Sequence, residues 1–169
     1  SVLSTGGVAA AAPGSGDYDR HVTVNGQDRE MLVHVPQSYD TRSGPVPLVV
    51  IYHGAGGNPD DFRHSSGWLA KSDREGFILA APFATNCDDG KTPAWNVTPL
   101  CHKGYENGPN ELDFADTVVN DISANFTVDR HRVFAAGFSS GGMNSFLLAQ
   151  GRPGTFAAVA PAAGTIERD

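Results

Sequence analysis

Two nearly continuous apolar runs stand out along the chain, at positions 46–52 and 77–81. Strands that are buried on both faces of a parallel sheet have this composition, because neither face needs polar side chains. Ahead of them, segments 21–24 and 30–35 flank Asn25-Gly26, a dipeptide that favours the tight turn of a β-hairpin. The pattern therefore predicts an antiparallel hairpin at the start of a mostly parallel sheet.

Helical spacing of apolar residues marks the segments between the strands. Residues 59–74 predict one continuous helix that ends at Gly76, because glycine readily adopts the left-handed conformation that closes a helix. A further helix is predicted at 142–150, between short strands at 133–136 and 157–160. Strands that alternate with helices indicate an α/β fold. The remaining helix is predicted by apolar residues that share one face: Leu112, Ala115, Val118, Val119, Ile122 and Phe126.

The strand at 133–136 leads directly into Gly137-Phe138-Ser139-Ser140-Gly141, which a helix follows. A G-x-S-x-G sequence in this context is typical of a nucleophile elbow, where a tight turn exposes the serine oxygen at the end of a sheet. Glycine is needed on both sides because a Cβ would collide with the neighbouring strand and helix. We therefore predict Ser139 as a nucleophile. The alternative is a turn rich in glycine and serine that carries no chemistry.

A second motif, His53-Gly54-Ala55-Gly56-Gly57, follows the apolar run at 46–52. A glycine-rich loop after an early strand forms half of the oxyanion hole in hydrolases with a nucleophile elbow. We predict the backbone N–H groups of Ala55 and Ser140 as the two oxyanion donors, and His53 as a structural residue that ties the loop down. The alternative is a loop that needs glycine only for its backbone conformation.

With both motifs present, the chain from about Arg29 to Thr165 resembles the extracellular esterase family of feruloyl esterases, acetylxylan esterases and polyhydroxybutyrate depolymerases. The resemblance implies an α/β-hydrolase fold and a Ser-Asp-His hydrolase that needs no metal and no organic cofactor. Further matching positions are Ser66-Gly67-Trp68, 76–79, Trp95-Asn96, Asp113-Phe114, Val128-Asp129, 132–134, Gly142-Met143 and 156–164.

The chain departs from the family after the nucleophile. In this fold the triad residues follow the order Ser, Asp or Glu, and His along the sequence, yet no histidine follows His131. We therefore expect the catalytic Asp and His to lie outside this chain, and a second polypeptide that carries them is one expected partner. The fold class is accordingly an α/β-hydrolase that is incomplete at its C-terminal end, with the strand at 157–160 as an exposed edge.

The composition of the chain limits which kinds of partner it can have. The formal net charge is −7, from 12 basic and 19 acidic residues, which disfavours nucleic acid and anionic membranes as partners. No apolar run is long enough to span a bilayer. Residues 1–17, rich in Ala, Gly and Ser, are expected to form a disordered leader or linker, and residues 18–169 the N-terminal part of the catalytic domain.

The segment from Phe83 to Gly108 is a long loop that contains both cysteines, Cys87 and Cys101. Their shared loop predicts a disulfide, the alternative being two unrelated thiols. Asn96 and Asn125 begin N-glycosylation sequons. Disulfide, sequons and leader all favour a secreted, extracellular protein.

A loop of this length in a compact domain is usually functional. Trp95 and Tyr105 are candidate substrate-binding residues, with the alternative that Trp95 only pins the loop. His102 is a minor candidate for a substitute base.

These observations predict a secreted serine carboxylic ester hydrolase with Ser139 as nucleophile. Its expected substrates are esters linked to a polymer, namely feruloyl or acetyl polysaccharide esters, or a polyhydroxyalkanoate. One alternative is a non-catalytic fragment or assembly subunit of such an esterase. A further alternative is a peptidase or acyltransferase on the same fold.

Overall fold

One six-stranded sheet and one small two-stranded sheet organise the protein in the computed structural model, which describes residues 13–97, 101 and 108–166. The large sheet contains β1 (Gly16–Val24), β2 (Gln27–Val35), β3 (Val46–Tyr52), β4 (Ile78–Pro82), β7 (Val128–Phe138) and β8 (Ala158–Ala162), and the small sheet contains β5 (Thr85–Asn86) and β6 (Pro93–Ala94). The helices are α1 (Pro59–Ser65), α2 (Trp68–Glu75), α3 (Glu111–Asn125) and α4 (Ser140–Gly151), and a short 3-10 helix covers Gln37–Thr41.

The large sheet has the strand order β1-β2-β4-β3-β7-β8. Strands β1 and β2 pair antiparallel, and β2 also pairs antiparallel with β4. The pairs β3–β4, β3–β7 and β7–β8 are parallel. At the hairpin turn Asn25 and Gly26 have φ values of 50° and 81°, as a turn with two left-handed residues requires. The antiparallel hairpin and the mostly parallel sheet are thus confirmed.

Helices cover both faces of the sheet, and alternate residues of β3 point to the two sides. Leu48, Val50 and Tyr52 belong to a core that also contains residues of α3 and α4. Val49 and Ile51 belong to a second core, against which residues of α1 and α2 pack. Because the central strand is buried on both faces, its unbroken apolar sequence is explained.

Two predicted boundaries differ from the structure. The helix predicted at 59–74 is divided into α1 and α2 because Gly67, between them, has φ 76°, which a continuous helix cannot contain. The strand β1 begins at Gly16, so residues 16 and 17 belong to the folded domain and not to the predicted leader. Gly76 ends α2 in a left-handed conformation with φ 74°, as expected from the sequence.

Strand β8 lies at the edge of the large sheet and pairs with β7 on one side only within the described part of the chain. Three of its residues, Ala158, Ala160 and Ala162, are exposed. An apolar strand with an unpaired edge is a site where another strand can add. Among the described residues, no helix has both the length and the apolar character that crossing a membrane would take.

Candidate active site

Ser139 occupies a strained turn between the end of β7 and the start of α4. Its backbone has φ 54° and ψ −117°, a conformation that residues other than glycine rarely adopt. The two motif glycines permit the turn. A Cβ on Gly137 would lie 2.0 Å from the backbone oxygen of Gly141, and one on Gly141 would lie 2.0 Å from the backbone oxygen of Tyr52. The strand, the helix and β3 therefore approach too closely for any other residue at these positions.

The backbone of Ser139 is held from both sides. Its N–H donates to the oxygen of Ala162 at 2.9 Å, and its own oxygen accepts from the N–H of Met143 at 3.0 Å. The side-chain oxygen of Ser139 has no hydrogen-bond partner among the described residues. It stands at the N-terminal end of α4, where the helix dipole favours negative charge. A negative charge that develops beside Ser139 would be stabilised there.

The glycine-rich loop at 53–57 lies directly beside the serine. A Cβ on Gly54 would lie 3.4 Å from the Cβ of Ser139. Two N–H groups of the loop are already used, since Gly56 donates to the oxygen of Pro93 at 2.8 Å and Gly57 donates to the oxygen of Gly54 at 3.0 Å. The N–H of Ala55 has no acceptor within residues 13–97, 101 and 108–166. The backbone N–H of Ala55 is therefore the one at positions 55–57 that is available to donate a hydrogen bond near the serine.

His53 supports this loop from below. It is 2% exposed, and its Nδ1 lies 2.8 Å from the oxygen of Gly54, while the N–H of Ala84 lies 3.4 Å from its Nε2. These partners require a neutral ring that donates from Nδ1 and accepts at Nε2. Burial lowers the pKa of His53 because a charged imidazole would be desolvated. Both ring nitrogens are engaged, so the residue is placed to hold the loop.

Trp95 is 1% exposed, and its Nε1 donates to the backbone oxygen of His53 at 2.8 Å. The ring also packs edge-on against Tyr52, with centroids 4.9 Å apart. A side chain without exposed surface cannot contact a substrate, so the substrate-binding assignment of Trp95 is corrected. The alternative, in which Trp95 pins the loop to the body, describes the structure. Tyr105 and His102 lie outside the described residues.

A buried ion pair, which sequence reasoning missed, anchors the segment beside Trp95. Arg29 lies 3.1 Å from Glu111 with side chains 3% and 1% exposed, and the guanidinium carbon stands 3.8 Å from the ring centroid of Phe114. Glu111 also accepts from the backbone N–H of Asn96 at 3.1 Å. The ion pair therefore holds the backbone of the segment that contains Trp95 and Asn96 in place. Neither residue stands in a motif, so no local signal identifies it.

Sequence reasoning also passed over Phe138, although it stands inside the G-x-S-x-G motif. Its side chain is 50% exposed, unusual for a large apolar residue at the end of a central strand. Its Cδ1 would lie 3.2 Å from a Cβ on Gly54, so the ring covers the glycine loop. An aromatic residue next to a predicted nucleophile is the signal that identifies it as part of the site.

The predicted disulfide and the two predicted glycosylation sites lie in the segment 83–108 and in α3. Cys87 and Cys101 form a disulfide, with Cα atoms 4.8 Å apart. The Asn96 side chain is buried, and its Nδ2 donates to the oxygen of Pro109 at 3.0 Å. A glycan has no room on a buried amide, so the Asn96 sequon is corrected. Asn125 is half-buried at the end of α3, and its Nδ2 donates to the oxygen of Asp121 at 2.8 Å.

None of the described histidines hydrogen-bonds to Ser139. Three are exposed or near the surface and face carboxylates: His21 faces Asp28, His34 faces Asp17 and Asp73, and His64 faces Asp60. His131 lies in the first half of β7, at the opposite end of the strand from the serine. The described chain thus contains the strained serine turn and the adjoining glycine loop, and none of its described histidines is paired with Ser139.

The fold defines the class: the chain has an α/β-hydrolase architecture, with a G-x-S-x-G turn between β7 and α4. Solved structures agree, since the acetyl xylan esterase from Aspergillus awamori superposes with a TM-score of 0.68 at 27% identity, covering 88% of this chain and 53% of that one. The family model Esterase, described as "Putative esterase", matches residues 23–168. The protein belongs to this esterase family.

Curated relatives include a feruloyl esterase and an acetylxylan esterase. Feruloyl esterase B of Thermothelomyces thermophilus is 32% identical over 143 residues, which cover 80% of this chain and 44% of that protein. The acetylxylan esterase of Coprinopsis cinerea is 30% identical over 146 residues, with 83% of this chain and 36% of that protein covered. The chain therefore spans less than half the length of these relatives.

Proposed function

We propose that the protein is a serine carboxylic ester hydrolase in which Ser139 attacks the ester carbonyl. The observation that carries the proposal is the strained turn at Ser139 beside the Gly54 loop. The carbonyl oxygen would become an oxyanion between the N–H groups of Ala55 and Ser140, while the ester carbon bonds to the serine oxygen and the alcohol departs. Removing one such donor typically slows turnover by about 10²–10³.

The serine proton needs a base, because a neutral hydroxyl is a weak nucleophile. We infer that the Asp and His of the triad lie outside residues 1–169, either further along the same polypeptide or on a second one. Support comes from the absence of a histidine paired with Ser139 among the described residues and from the greater length of the relatives. The free edge of β8 offers a place where further strands would add.

The proposed substrates are esters linked to a polymer, with feruloyl or acetyl polysaccharide esters ahead of polyhydroxyalkanoates. Support comes from relatives named feruloyl esterase and acetylxylan esterase and from a poly(3-hydroxyalkanoate) depolymerase of Paucimonas lemoignei at 27% identity. Secretion is proposed on the disulfide, which forms in oxidising compartments. Glycosylation remains proposed at Asn125 only.

A fluorophosphonate probe tests the nucleophile, because its phosphorus is attacked as an ester carbonyl would be. We expect slow labelling of residues 1–169 at Ser139, which added imidazole accelerates by supplying the missing base. The Ser139→Ala variant measures the background. Labelling at another residue, or equal labelling of that variant, would contradict the proposal. The alternatives give other results. A non-catalytic subunit would not label with or without imidazole, and a peptidase would cleave a ferulic amide as well as methyl ferulate, whereas an esterase would cleave only the ester.

A further inference from the structure

The small sheet of β5 and β6 stands against the glycine loop at 53–57. Its two strands pair antiparallel, so they form a hairpin, and positions 84 and 95 flank its base. Hydrogen bonds from this base reach the glycine loop on both sides of Ala55. They join the N–H of Ala84 to Nε2 of His53 at 3.4 Å, Nε1 of Trp95 to the oxygen of His53 at 2.8 Å, and the N–H of Gly56 to the oxygen of Pro93 at 2.8 Å.

These contacts hold the three consecutive peptide units around Ala55. In the first unit, the oxygen of His53 accepts from Trp95. In the second unit, the oxygen of Gly54 lies 2.8 Å from Nδ1 of His53. In the third unit, the N–H donates to an oxygen of β6. Each unit thus has one polar group fixed by the hairpin or by the ring of His53, so the units cannot rotate independently.

The middle peptide unit contains the N–H of Ala55. A trans peptide places its oxygen and its N–H on opposite sides, so an oxygen of Gly54 that faces the ring of His53 turns the N–H of Ala55 away from that buried ring. Ala55 itself is exposed. The N–H of Ala84 fixes the tautomer, because it needs an acceptor at Nε2 and so leaves the proton of the neutral ring on Nδ1. The hairpin therefore determines the direction of the Ala55 N–H through His53.

Trp95 ties the base of the hairpin to the protein core. Its ring packs edge-on against Tyr52 and lies 5.3 Å from the ring of His53, between centroids. Residues 94–96 are buried, and the N–H of Asn96 donates to Glu111 at 3.1 Å. A close-packed interior transmits displacements, so a shift of this base would move the glycine loop.

From these contacts we propose that the β5–β6 hairpin orients the oxyanion donor of the esterase, with Trp95 as the positioning residue. Trp95 is buried and acts through the peptide unit of His53 and Gly54. The inference rests on the proposed function, because it assumes that the N–H of Ala55 binds the oxyanion. Such a donor acts on the charge that develops during attack. Loss of the hydrogen bond from Trp95 should therefore slow the chemical step and leave the binding of the reagent unchanged.

Fluorophosphonate labelling at a series of probe concentrations, with imidazole held constant, gives a maximum rate and a half-saturating concentration. Trp95→Phe retains a ring beside Tyr52 but lacks the indole N–H. We expect its maximum rate to fall about five- to fiftyfold, as displacement of a catalytic group costs, and its half-saturating concentration to change by less than about twofold. Trp68→Phe is the matched control, because Trp68 packs against the other core, beside Phe77. It should label at the unmodified rate.

A second protein separates the hydrogen bond from packing. The chain contains two tryptophans, so in the Trp68→Phe background 3-benzothienylalanine can be incorporated at position 95 alone, where sulfur replaces the indole N–H. We expect the same fall in maximum rate. An unmodified maximum rate in this protein, an equal fall in Trp68→Phe, or a change confined to the half-saturating concentration would overturn the positioning role. Failure of the unmodified chain to label would overturn the proposed function itself, and this inference with it.

Discussion

Gly54 and Ser139 approach each other so closely that a side chain on the glycine would contact the serine, with 3.4 Å between the two Cβ positions. The two residues are 85 positions apart in the sequence and meet because β3 and β7 are parallel neighbours, with Tyr52 opposite Gly137 in the register. The carboxyl ends of both strands therefore place a glycine-rich loop and a helix N-terminus around one oxygen.

The first prediction concerns backbone strain at the nucleophile. Ser139→Gly should raise the free energy of unfolding relative to Ser139→Ala by about 1 kcal/mol, because glycine adopts φ 54° and ψ −117° without strain. Both variants lack the hydroxyl, so both should lose labelling by a fluorophosphonate. Urea denaturation of the two proteins measures the difference. If Ser139→Ala were the more stable, the turn would not be strained.

The second prediction concerns the close approach at the elbow. Gly141→Ala should destabilise the fold by about 4 kcal/mol or more, because the new Cβ would stand 2.0 Å from the backbone oxygen of Tyr52. Gly154→Ala is the control, since a Cβ there meets nothing within 4 Å, and it should change stability by less than about 1 kcal/mol. Thermal unfolding followed by circular dichroism compares them. Similar melting temperatures would show that the elbow is more open than described.

Much of this arrangement could be predicted from the sequence. Gly137 and Gly141 are separated by the spacing that a tight strand-to-helix turn requires, and the apolar run at 46–52 predicts a central strand; the structure confirms both elements. Gly67 shows the limit. A single glycine inside a helical pattern is often tolerated, and only the structure shows the left-handed conformation that divides α1 from α2.

The corrections at Trp95 and Asn96 have a shared physical reason. A long loop rich in polar residues predicts an exposed segment, and in such a segment an indole or an amide would be accessible. The ion pair of Arg29 and Glu111 instead holds the backbone of Asn96 inside the protein. Long-range contacts of this kind leave no periodicity or motif, because the two partners are 82 positions apart.

The third prediction concerns the protonation of His53. Burial lowers its pKa below the ordinary value of 6.5, so as pH falls below 6.5 the unfolded chain takes up a proton that the folded protein does not. Stability should therefore decrease toward low pH, by at most about 1.4 kcal/mol per pH unit for this one group. His53→Asn retains a donor near the Nδ1 position and removes the titration. Denaturation between pH 5 and pH 7 should give the variant a shallower slope, and parallel slopes would contradict the buried neutral ring.

The fourth prediction concerns the disulfide, which joins residues 14 positions apart. Replacing both Cys87 and Cys101 by alanine should lower the free energy of unfolding by about 3 kcal/mol, because the open loop gains conformational freedom when unfolded. The unmodified protein should show no thiol to a titrating reagent under denaturing, non-reducing conditions. Detection of two free thiols would show that the disulfide is absent, and the main support for secretion would then be lost.

The last prediction concerns whether residues 1–169 contain all the groups that catalysis needs. We expect residues 1–169 alone to hydrolyse methyl ferulate far below a normal esterase rate, because no described histidine reaches Ser139 and the serine keeps its proton. Imidazole should restore part of the rate in proportion to its concentration, beyond the background that Ser139→Ala defines. The free edge of β8 should also pair with another copy, so sedimentation should detect oligomers. A monomer with full turnover in the absence of imidazole would place the base within this chain, and His102→Ala would then be the first variant to assay.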